Sequence, residues 1–74
     1  MSKTKQPEGL ISVLLDRSRD FGDRHDAAMD LQNYDEPEAI EALRNVKSDP
    51  AEDPDIVEEA AQSLMEIQRR SYEN

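Results

Sequence analysis

Asp26-Ala27-Ala28-Met29-Asp30-Leu31 and Glu59-Ala60-Ala61-Gln62-Ser63-Leu64 share one pattern: an acid, two alanines, two spacer residues and a leucine. They stand 33 positions apart, Asp26 to Glu59, and the same offset brings Tyr34 onto Ile67. Small and branched residues at this spacing lie on one side of a helix. Two adjacent alanines let a second helix backbone approach closely. A repeat of this length marks helix pairs that stack, because no single pair can hide its own apolar side.

Working outward, the remaining apolar residues fall at helical spacing too. Leu10, Ile11, Val13, Leu14 and Leu15 predict a first helix from Pro7 to Arg19, with Pro7 and Glu8 suited to its first turn. Asp20 or Gly22 can cap a second helix, expected over Asp23–Asn33. Asp35-Glu36-Pro37-Glu38 reads as a capping box with proline in the first turn, opening a third helix that runs to Lys47. Its stripe is Ala39, Ile40, Leu43 and Val46. Asp53-Pro54 repeats the cap-then-proline order ahead of a fourth helix, expected over Pro54–Arg70. Residues 1–6 are expected to form a flexible head and residues 71–74 a tail. Nothing alternates with period two, so the expected class is all-α: four helices in stacked antiparallel pairs.

The chain has 74 residues, enough for one small domain. Apolar residues are no more frequent than charged ones, 35% against 36%, so the core has to come from those few stripes. Cysteine is absent, which removes disulfides and thiolate metal sites. The longest apolar run, Leu10–Leu15, is interrupted by Ser12 and too short to span a bilayer, and residues 1–6 lack the apolar stretch of a signal peptide. A soluble, cytoplasmic protein is expected. The formal charge is −9, and it is uneven: residues 1–20 carry +1 and residues 21–74 carry −10. Nucleic acid and anionic membranes are disfavoured as partners, since both require a cationic surface.

The stretch Asp23-Arg24-His25-Asp26-Ala27-Ala28-Met29-Asp30-Leu31, continued by Asp35-Glu36-Pro37-Glu38-Ala39-Ile40-Glu41-Ala42-Leu43, resembles a HEAT-like repeat of the phycobilisome-lyase type. Asp53-Pro54-Asp55-Ile56-Val57-Glu58-Glu59-Ala60-Ala61 looks like the start of the next repeat. The resemblance covers roughly residues 10–68, and it departs from the family where Leu31-Gln32 replaces Leu-Gly. It implies a minimal α-solenoid that binds other proteins; pigment attachment by the lyases is not implied. In such solenoids the second helix of each pair lines the partner-facing side. That points to Glu38, Glu41, Arg44 and Asn45 on the third helix, with Asp16, Asp20, Asp49, Glu52, Asp53 and Asp55 as the rim.

Residues that invite chemistry have plainer readings. His25 is the one histidine and follows a helix start, where a surface position is expected. Asp49, Glu52, Asp53, Asp55, Glu58 and Glu59 lack the glycine of a calcium loop, while Pro50 and Pro54 stiffen the backbone that would have to curl. These acids suit the positive end of the fourth helix, as Arg69 and Arg70 suit its negative end. Asp26 with Asp30 and Asp55 with Glu59 are carboxylates one turn apart on exposed faces, a spacing of like charges that costs a few tenths of a kcal/mol and is not expected to do acid–base work. No enzyme, metal or cofactor is expected. The expectation is an acidic interaction module for a basic protein partner. A narrower form is an immunity or inhibitor protein that neutralises a basic, nuclease-type toxin. A different one is an assembly subunit, a homodimer or a piece docked on a longer helical array, since Met65 and Ile67 are expected to stay partly exposed on an uncapped fourth helix.

Overall fold

The computed structural model describes residues 7–73, so the expected head at 1–6 lies outside it, as does Asn74. The described chain is all-α. The helices are α1 (Pro7–Leu15), α2 (Phe21–Asp30), α3 (Pro37–Ser48) and α4 (Pro54–Glu73), with a 3-10 turn over Leu31–Asn33 extending α2.

Helix ends depart from the sequence-based expectation where side chains compete for the backbone. α1 stops at Leu15 rather than Arg19. Beyond it, Asp16 Oδ1 accepts hydrogen bonds from the Ser18 amide at 3.0 Å and the Ser18 hydroxyl at 2.6 Å. Such a local turn offers the backbone an alternative to continuing the helix. α2 begins two residues earlier than expected, behind Asp20, which caps it without a side-chain hydrogen bond. The capping box expected at Asp35–Glu38 is not made: Glu36 is the capping residue, and it too lacks a side-chain cap bond. α4 is capped as expected, with Asp53 Oδ1 accepting the Asp55 amide at 2.9 Å. No breaker follows Arg70, and α4 runs on to Glu73.

Leu14, Ala27, Ala28, Leu31, Ala39, Leu43, Val46, Ile56, Ala60 and Ile67 form the core, with Leu10, Ile11, Val13, Tyr34, Ile40 and Leu64 packed around it. Ile67 is buried, as the apolar stripe Ile56, Val57, Ala60, Ala61, Leu64 and Ile67 of the fourth helix predicts and not left open at an uncapped end, whereas Met65 is exposed. α1 packs on α2 and α3, and α4 packs on α2 and α3. Between α2 and α4, the Ser63 hydroxyl donates to the Ala28 carbonyl at 2.6 Å, and His25 Nε2 lies 3.4 Å from Glu59 Oε1. Both contacts advance in the same direction along the two helices, so α2 and α4 run parallel. The Cα atoms span 35 × 31 × 17 Å, a thin slab two helices deep. No described helix is long and apolar enough to cross a membrane.

Candidate protein-interaction surface

The residues singled out from the sequence divide into those that face solvent and those used inside the fold. Glu38, Glu41, Arg44 and Asn45 are all exposed on α3. Glu41, Arg44 and Asn45 are brought together with Asp35, Pro37 and Ile40 around a shallow concavity of about 430 Å³. Along α3 the charges balance: Glu38 and Glu41 toward its start are answered by Arg44 and Lys47 toward its end. Arg44 and Lys47 make no ion pair with any described residue. This face is therefore mixed in sign, not acidic.

The expected rim is more heterogeneous. Asp20 and Asp55 are exposed at the starts of α2 and α4. Asp16 is exposed, held by Ser18, with Arg19 at 3.8 Å. The hydrogen bonds from Ser18, joined by the charges of Arg19 and Arg24, hold its carboxyl below the usual carboxylate range. Asp53 is spent on capping α4. Asp49 accepts the Ala51 amide at 2.9 Å and is ion-paired with Arg17.

Glu52 does not belong to a rim at all. Its side chain is only 5% exposed, and Oε2 accepts a hydrogen bond from the Arg24 guanidinium at 2.6 Å, with Arg17 Nε at 3.7 Å. Its other oxygen accepts the Asp53 amide at 3.1 Å. The Arg24 hydrogen bond is the main reason its carboxyl stays below the usual range, against the opposing effect of burial. A turn rich in aspartate and proline reads as solvated in sequence. Here it folds one acid inward because a buried cation waits for it.

That cation, Arg24, went unrecognised in the sequence. Only 6% of it is exposed, and its Nε donates to the Leu14 carbonyl at 2.9 Å. The signal was present: Arg24 precedes Ala27, Ala28 and Leu31 at three, four and seven positions, the spacing of the buried side of α2. A charged residue on such a stripe has to carry its own partners inward. Arg17, Arg24, Asp49 and Glu52 thus form one network that ties the α1–α2 connection to the α3–α4 turn.

His25 is half-buried beside Glu59, with the Phe21 ring centred 5.6 Å from its own. Among the described residues no group of three or more His, Asp or Glu side chains is placed to hold a metal ion. Compared with known protein families, curated proteins and solved structures, the chain matches none.

Proposed function

We propose that this chain is a small acidic protein–protein interaction module that binds a basic protein partner without chemistry of its own. We read its four helices as a minimal HEAT-like α-solenoid in which helices of like kind neighbour each other. The parallel α2–α4 contact and the 33-residue repeat favour that arrangement.

The observation that carries the binding reading is how the carboxylates are used. Glu52, Asp49 and Asp53 serve the fold, but Glu8, Asp20, Asp26, Asp30, Asp35, Glu36, Glu38, Glu41, Asp55 and Glu58 are exposed and make no ion pair with described residues. Unpaired like charges oppose the compact state and add little to its stability, whereas they steer an oppositely charged partner.

Affinity purification at low ionic strength from the organism that makes the chain tests this. A basic protein should be retained and released steeply between about 0.05 and 0.3 M salt, where the screening length shortens from roughly 14 to 6 Å. Retention of acidic or neutral proteins alone, with no salt dependence, would refute it.

A further inference from the structure

The outer side of α2 and α4 differs from that of α3 in both charge and apolar exposure. Large apolar side chains exposed among the described residues are Leu15, Phe21, Met29, Met65 and Tyr72, and four of these five belong to α2 or α4. Met65 is 67% exposed and Tyr72 83%, and their seven-residue spacing puts them on one stripe of α4. Phe21, His25 and Met29 follow one another at four-residue spacing along α2. Between α4 and the 3-10 turn that extends α2 lies a concavity of about 380 Å³ lined by Gln32, Glu59, Gln62, Ser63, Met65 and Glu66. Glu59, at its edge, is met by His25, whose ring lies 5.6 Å from that of Phe21.

Glu59 and Glu66, which line that concavity, are answered by His25 at 3.4 Å and Arg69 at 2.7 Å, whereas Asp26, Asp30 and Glu58 stand exposed on the same two helices without an ion pair to a described residue. On α3, Glu38 and Glu41 are equalled in number by Arg44 and Lys47, although no ion pair joins them. Exposed apolar groups on two helices whose carboxylates outnumber their cations fit a partner that is apolar on one side and cationic beside it. Methionine, unbranched and polarisable, suits a seat for such a helix.

We propose that the α2–α4 side is the docking face and that it takes a basic amphipathic helix, seated on Phe21, Met29 and Met65. The proposal rests on the reading of the chain as a binder of a basic protein, and adds where and in what form that partner binds.

Three labelled synthetic peptides of 16 residues (about 24 Å as a helix) test it by fluorescence anisotropy on the full chain. One carries leucine and lysine in helical amphipathic order, one is its scramble, and one replaces lysine by glutamate. The patterned basic peptide should bind at least ~tenfold tighter than its scramble, and Met65→Ser or Phe21→Ser should each weaken it about tenfold. Glu41→Lys on α3, which removes steering charge only, should weaken it less than Met65→Ser does. Both serine variants alter exposed positions, and circular dichroism confirms that they fold. If Glu41→Lys weakens binding and Met65→Ser does not, the docking face is refuted while the basic-partner reading stands. Equal binding of the scramble refutes the helical occupant. Preference for the glutamate peptide, or no binding of either basic peptide at low salt, refutes both. Self-association in sedimentation that Met65→Ser abolishes would assign the face to a second copy and overturn the proposal.

Discussion

Arg24 and Glu52 sit on α2 and on the α3–α4 turn, and their side chains meet at 2.6 Å with only 7% and 5% of their surfaces exposed. Arg24 also donates to the Leu14 carbonyl at the end of α1, so one guanidinium holds three parts of the chain together. Breaking one partner of a buried pair leaves the other charge without compensation, at about 3 kcal/mol. For a domain of this size that is a large share of a total stability of roughly 4–11 kcal/mol. Arg24→Met should therefore lower the urea midpoint strongly. Arg24→Met combined with Glu52→Leu should cost less than the two single changes added together, by at least ~1 kcal/mol, because no charge is stranded. Strict additivity in that cycle would show that the pair is not coupled.

The same pair sets an acid limit. Glu52 has its folded-state carboxyl below the ordinary value of 4.5, chiefly through the Arg24 hydrogen bond. Below 4.5 the unfolded chain takes up a proton that the folded chain still refuses, so stability rises with pH in that window. The contribution is fully present above pH 4.5 and is lost as pH falls through the lowered folded value. Urea midpoints should be flat between pH 5 and 7 in this respect and fall below that, and Glu52→Gln should flatten part of the decline. Asp16 acts in the same direction, but it is exposed and its share is minor. An unchanged acid limb in Glu52→Gln would remove this pair as its cause.

Helix interiors were legible in the sequence because apolar stripes are set by backbone period, as Ala39, Leu43 and Val46 show on α3. Helix ends were less so, because they depend on which side chain wins a backbone donor: Asp16 and Ser18 stop α1 early, and nothing stops α4 at Arg70. The candidate surface was legible only by residue type. Sequence places Glu52 among acids of a turn, and only packing reveals that Arg24 draws it inward.

Caps give a direct contrast between sequence signal and structure. Asp53 bonds the Asp55 amide at 2.9 Å, whereas Asp20 makes no side-chain cap bond and Asp35 is not the capping residue of α3. Asp53→Ala should cost about 1 kcal/mol. Asp20→Ala and Asp35→Ala should stay within ~0.5 kcal/mol, as ordinary surface changes do. Thermal or urea unfolding of the three variants decides it, and equal losses would mean that the helix starts are held by charge rather than by this hydrogen bond.

The contact that α4 makes with Ala28 of α2 comes from Ser63, not from Ala61, which the 33-residue repeat aligns with Ala28. Ser63 is 1% exposed and its hydroxyl donates to the Ala28 carbonyl at 2.6 Å, beside the fully buried Ala28 and Ala60. Removing that donor in Ser63→Ala should cost about 1 kcal/mol, the net worth of a typical hydrogen bond. Ser63→Leu should cost more, ~2–3 kcal/mol, because the extra carbons have no space between two closely packed helices. Gln62, one position away and exposed, should accept leucine within ~0.5 kcal/mol. Urea unfolding of the three variants maps the register: a tolerant Ser63→Leu beside a costly Gln62→Leu would mean that α4 is rotated about its axis from the arrangement described, and the Met65 stripe with it.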